Sequence, residues 1–208
     1  EYLRRNPEIL LEAIGAIRAK REAKQQSNVR KNLVSLRGEL ENDPTSPVGG
    51  NPQGNVTIVE FFDYQCPYCK RVFPAVQTLL KTDGNIRYVF KEFPILGPQS
   101  VVAARAALAA WKLDRDRYVP FHTALMQSRG RLSERKILDV AAEIGLDVER
   151  LRAAMADPGI DKVLARNAEL ARALDINGTP AFVIGEKVVP GAVDLETLTA
   201  LVSQARGG

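Results

Sequence analysis

Apolar positions along this chain follow two patterns. They are contiguous in a few short runs and periodic, with gaps of three and four, over longer stretches. The run VTIVEFF, residues 56–62, is β-branched and aromatic and predicts a buried strand; NIRYVFKEF, residues 85–93, predicts a second. Between them the spacing predicts a helix from Pro67 to about Leu80, a strand–helix–strand unit with parallel strands. From Gln99 to about Leu174 helical periodicity takes over, with Ser133 and Asp147 as N-cap residues. PAFVIG and EKVVPG then predict a hairpin about Gly185–Glu186, and DLETLTALVSQA a closing helix capped by Asp194. The reading is an α/β domain over 56–97 and 175–208, interrupted by an all-helical insertion over 98–174.

The first 41 residues are patterned differently. Leu10, Ala13, Ile14 and Ile17 make one apolar stripe; Val29, Leu33, Leu36 and Leu40 make another. Residues 18–28 between them offer only Ala19 and Ala23, and the stripes are out of heptad phase. Two helical pieces are expected, joined by a hinge or running on as one solvated helix. The stripes need burial, either on the chain's own domain or in a self-association stalk over 1–41. NDPTSPVGGNPQGN, residues 42–55, is rich in Pro, Gly, Asn and Asp and predicts a linker.

Composition narrows the function classes. The 208 residues are 45% hydrophobic and 26% charged with a net charge of +4, ordinary for a globular protein. No Lys/Arg block is interleaved with aromatics, so nucleic acid is not an expected partner. No apolar run approaches the ~20 residues that span a bilayer. Arg4, Arg5, Arg18, Lys20, Arg21 and Lys24 could lay the first helix on a membrane, but Glu8, Glu12 and Glu22 among them favour a solvated face. The chain opens on Glu1 without a leader, which is expected of a mature or trimmed chain whose export signal is gone.

The only two cysteines, Cys66 and Cys69, stand three positions apart in FFDYQCPYCKRVFPAV, residues 61–76. A brace closing so short a loop stabilises by roughly 2 kcal/mol and constrains nothing distant. A structural zinc site needs four ligands, and His122 is the sole histidine. No metal site is assigned, although two thiolates alone could hold Cu(I). A redox couple fits the local physics best. Pro67 suits the first helical position, which makes Cys66 the N-cap and exposes its sulfur to backbone N–H groups and the positive helix end. Both favour the thiolate. Cys69 lies a turn deeper, so Cys66 is the expected nucleophile and Cys69 the resolving thiol.

Strand, CPYC at a helix start, Pro74 in that helix and the late NGTPAFVIG together resemble the thioredoxin fold of the DsbA-like family. EYLRRNPEILLEAI ahead of the domain resembles the ScsC-type branch. The resemblance implies a cis bond at Pro180 opposite the cysteines and a Thr179 backbone that pairs with substrate. It also implies a buried acid, Glu60, that moves protons for Cys69. Tyr68, with Pro67 between the cysteines, stands where the family's best-known oxidase has histidine, so a less oxidising pair is expected. Further expectations are a disulfide isomerase or reductase of the periplasm, with no cofactor. Its partners would be unfolded or mis-oxidised exported proteins and a membrane redox partner, and residues 1–40 would assemble a homotrimer. A dithiol oxidase, or a Cu(I)-binding protein of copper tolerance, is the alternative.

Overall fold

The computed structural model describes residues 7–207, with side chains from Leu11 onward; Arg4 and Arg5 fall outside the described residues, as do the side chains of Glu8 and Leu10. The domain is built on a five-stranded sheet of order β1-β3-β2-β4-β5: β1 Val48–Gly50, β2 Val56–Phe62, β3 Ile86–Glu92, β4 Ala181–Ile184 and β5 Lys187–Pro190. Strands β2 and β3 are parallel, with Glu60 opposite Phe90 and Phe62 opposite Glu92; the other neighbours are antiparallel. Helix α3, Pro67–Thr82, crosses between β2 and β3. Five helices follow β3: α4 Pro98–Leu113, α5 Arg115–Gln127, α6 Glu134–Glu143, α7 Val148–Met155 and α8 Pro158–Ala173. Asp114, Ser133, Asp147 and Asp157 cap four of them with side-chain bonds to backbone N–H groups. Helix α9, Leu195–Gly207, closes the chain, with Asp194 accepting from the Thr197 N–H at 2.8 Å.

One face of the sheet packs on α3, α9 and the inserted helices, through Ile58, Phe62, Tyr88 and Phe90 against Val72, Phe73, Val76 and Leu198. The opposite face, Val59, Phe61, Val89 and Val183, is covered by Leu170 and Leu174 at the end of the insertion and by Leu33 and Leu40 from the N-terminal region.

That region is one continuous helix, α1 Pro7–Ser35, followed by a short α2, Arg37–Glu41. Residues 18–28 carry no breaker and are Lys, Arg, Glu, Gln, Ala, Ser and Asn, mostly good helix formers, so the polar stretch stays helical in water. The two stripes have different fates. Ile14 and Ile17 of the first are exposed at 38% and 52%, as is Leu11 beside that stripe at 72%, whereas Leu33 and Leu40 of the second are buried at 6% and 1%. The N-terminal 41 residues are therefore not a single unit: the portion from Val29 on is part of the domain's second layer.

Residues 42–55 are not a free linker. Val48–Gly50 pairs with β3 as the edge strand β1, which covers backbone groups that β3 would otherwise leave open. Gly50, at φ 65°, turns the chain where a Cβ would strike the Ile86 carbonyl. The corner is pinned by Lys91, wholly buried on β3, whose Nζ donates to Ser46 Oγ at 2.7 Å, the Glu39 carbonyl at 2.9 Å and Asp43 Oδ2 at 3.3 Å. Burial lowers the Lys91 pKa and the Asp43 carboxylate opposes that shift.

Candidate active site

The site forms where β2 ends and α3 begins. Cys66 is the N-cap in an extended conformation, φ −73° and ψ 117°, and Pro67 opens the helix, where a missing N–H costs nothing. The approach is held by Asp63, 1% exposed, which sequence reasoning missed. Its Oδ1 accepts from the Gln65 N–H at 2.7 Å; its Oδ2 accepts from the N–H groups of Ile95 and Leu96 at 2.9 and 3.0 Å; its carbonyl accepts from the Cys66 N–H at 3.0 Å. One buried carboxylate thus locks the loop before Cys66 to the loop after β3.

Opposite stands the loop between α8 and β4. The Thr179–Pro180 bond is cis, and the Cys66 thiol donates to the Thr179 carbonyl at 3.2 Å. Gly191 N–H donates to the Pro180 carbonyl at 2.8 Å and ties this loop to the end of β5. Tyr68 is 54% exposed beside the pair, with the Arg71 guanidinium 4.7 Å above its ring.

Both cysteines are in the dithiol form, and their environments differ. The Cys66 pKa is lowered from 9.0 to about 5. The largest cause is the Cys69 thiol donating to its sulfur; burial opposes, and the Thr179 side chain and the N–H groups of Cys69 and Tyr68 add to the lowering. Cys69 shows no exposure; burial first, then the bond it gives Cys66 and the charge of Glu60, push its thiol far up. A turn of helix separates a thiolate at neutral pH from a thiol that needs a base.

Glu60 lies on β2 at 3% exposure, on the sheet face that meets α3. The Tyr88 hydroxyl donates to its Oε2 at 2.6 Å. Burial raises its pKa from 4.5 to about 7, the Tyr88 bond pulling down and Cys66 adding to the rise. A carboxyl of that strength beneath a buried thiol can take and return a proton near neutrality.

A second buried network lies nearby. Glu92, wholly buried, accepts at Oε1 from the Tyr64 and Tyr118 hydroxyls at 3.2 and 3.1 Å, and the Tyr64 hydroxyl meets His122 Nδ1 at 3.0 Å. His122 packs among Phe62, Phe73, Phe90 and Tyr118, and burial drops its pKa to about 3. It is a neutral core residue. Among the described residues no cluster of three or more His, Cys, Asp or Glu could hold a metal.

Comparison with known proteins agrees with this geometry. The DSBA-like thioredoxin domain description matches residues 57–203, more than half of the chain. The chain belongs to that family. Residues 1–24 match a second description, the copper resistance protein ScsC N-terminal domain. A thioredoxin-like oxidoreductase from Silicibacter pomeroyi DSS-3 is 47% identical, with a TM-score of 0.80 over 83% of this chain and 98% of that one. Proteus mirabilis ScsC in a transitional conformation is 34% identical, TM-score 0.79, covering 99% of this chain and 92% of that one. These matches place the chain with the ScsC-type members of the DSBA-like family, and its CxxC domain is a thiol–disulfide oxidoreductase domain. A curated relative, the Na(+)/H(+) antiporter NhaA 1 of Salinispora arenicola, is 32% identical over 90% of this chain, but the chain spans only 29% of that protein's length. Among the described residues no helix is long and apolar enough to cross a membrane.

Proposed function

We propose that the protein is a disulfide isomerase and reductase of exported proteins, working in the periplasm through Cys66. The observation that carries this reading is the contrast between the two thiols, one at about 5 and one pushed far up by burial. The Cys66 thiolate attacks a substrate disulfide; an S–S bond forms to Cys66 and one substrate thiolate leaves. If another substrate cysteine then attacks the mixed disulfide, Cys66 is released unchanged, and the substrate is isomerised without net electron transfer. If Cys69 attacks instead, Glu60 takes its proton. The Cys66–Cys69 disulfide forms, the substrate leaves with two thiols, and a membrane redox partner must return two electrons to the pair.

Self-association of residues 1–40, as a homotrimer, would surround a misfolded substrate with several Cys66 sites. The exposure of Leu11, Ile14 and Ile17 on one helix supports a second copy as their cover, and the ScsC N-terminal match falls on the same stretch. The test is recovery of activity from a scrambled-disulfide substrate. Restored activity with catalytic amounts of reduced protein is expected; oxidation of reduced substrate without repair of scrambled substrate would reassign the protein as a dithiol oxidase. Light scattering of the whole chain is expected to give three copies per particle, against one for a chain beginning at Gln25, which keeps Leu33, Leu40 and strand β1.

Capture of Cu(I) is a second reading, favoured by two free cysteines within the first turn of one helix. Stoichiometric uptake by the reduced protein that is lost in Cys69→Ser would support it; no uptake would remove it.

A further inference from the structure

We infer that helix α1 forms one wall of the surface that receives a substrate polypeptide, and that Val29 selects an apolar side chain close to the substrate's reacting cysteine. This rests on the thiol–disulfide exchange reading above. A groove of about 440 Å³ lies between the last turns of α1 and the loop that faces Cys66, lined by Val29, Leu33, Ile176, Thr179, Pro180 and Val188 among others. That volume is within the ~300–1,000 Å³ usual for a ligand site. The groove reaches the redox centre, since Thr179 in its wall accepts from Cys66 at 3.2 Å.

The helical wall is fixed from both sides. Asn32 Nδ2 donates to the Ala173 carbonyl at 2.7 Å, and Arg30 Nη2 meets Glu186 Oε2 at 3.2 Å in the β4–β5 turn. Arg30 and Glu186 neutralise one another at the rim, where Asp175 leaves one acid, so the groove offers an anionic ligand nothing and its floor is apolar. The occupant that fits is an extended, apolar stretch of polypeptide. It is held covalently at Cys66 and runs along Thr179 and Pro180, which belong both to the redox centre and to the wall of the groove. Among the described residues strand β5 has β4 as its only strand partner, and Pro190 at its end gives no backbone donor, so recognition there falls to side chains rather than to a long ladder.

The experiment compares reduction of glutathionylated peptides by the full chain. The peptides carry Leu and Phe, or Ser and Gly, beside one cysteine, and oxidised glutathione is the small disulfide. The wild-type protein is expected to favour the apolar peptide by about tenfold in kcat/KM, mainly through KM. Val29→Gln should erase the preference and Val29→Ile should keep it. Val34→Gln, on the 65% exposed side of the same helix, should also keep it. A wild type that reduces both peptides equally, a Val29→Gln protein that retains the preference, or equal losses in Val29→Gln and Val34→Gln would each overturn the inference. A wild type that reduces none of the three disulfides would overturn the exchange reading itself.

Discussion

Glu60 and Glu92 stand one strand apart at the same end of the sheet, both closed to solvent at 3% and 0% exposure. Each carboxyl is raised above 4.5, burial being the first cause in both. Their surroundings then separate them. Glu60 receives one tyrosine hydroxyl, from Tyr88, and lies near enough to Cys69 for its charge to push that thiol up. Glu92 receives two, from Tyr64 and Tyr118, and is enclosed with a neutral His122 among aromatic rings. Burial makes a carboxyl a weak acid in either place; only a neighbour that must lose a proton makes it a proton carrier. Glu60, raised to about 7, has such a neighbour and is the proposed proton carrier; burial raises the Glu92 carboxyl too, but the groups around it are tyrosine hydroxyls and aromatic rings.

The largest effects are expected at the thiols that Glu60 serves. Cys66→Ala is expected to lower exchange by more than ~10³-fold, whereas Cys69→Ala should let the attack proceed and accumulate mixed disulfide, visible on non-reducing gels. Equal losses without accumulation would contradict the assigned roles.

Glu60→Gln sharpens the contrast with Glu92. Resolution by Cys69 should slow by about 10²-fold, the lower end for a positioned general base, and its pH dependence near 7 should vanish. Stability supplies an independent reading. A carboxyl raised from 4.5 to about 7 leaves wild-type stability whole below about pH 4.5 and erodes it up to about pH 7. Glu60→Gln removes that erosion, so chemical denaturation above about pH 7 should show a gain of roughly 3 kcal/mol at most, with none below about pH 4. Glu92→Gln has the smallest expected effect: the wild-type pH profile, activity within about threefold, and a stability change of about 1 kcal/mol as one acceptor pattern replaces another.

Sequence pattern carried the succession of strands and helices in the α/β half and the placement of Cys66 and Cys69 at a helix start, because those features are local. VTIVEFF is a strand by composition, and Pro67 reports a helix start wherever the chain folds. Glu60 was singled out by the family resemblance, and its place in the apolar run VTIVEFF agrees with burial. Lys91 and Glu92 carry the same signal in IRYVFKE, yet their partners, Ser46, Asp43, Tyr64 and Tyr118, are scattered along the chain and no spacing announces them. Strand β1 was hidden for a related reason: three residues with two glycines have no strand propensity of their own and pair because β3 has an open edge. The polar middle of α1 resembles a break only to a reading based on burial. Its propensity is helical, and the change in fate at Val29 is set by the sheet face that the second stripe meets.

The fold divides two cysteines a turn apart into a thiolate and a protected thiol. Following the ultraviolet absorbance of thiolate in the fully reduced wild-type protein against pH tests that division most directly. One thiol is expected to titrate with a midpoint near pH 5, with mass spectrometry placing rapid alkylation at Cys66 and none at Cys69. A protein whose absorbance stays flat until pH approaches 9, with both cysteines alkylated together, would contradict the account.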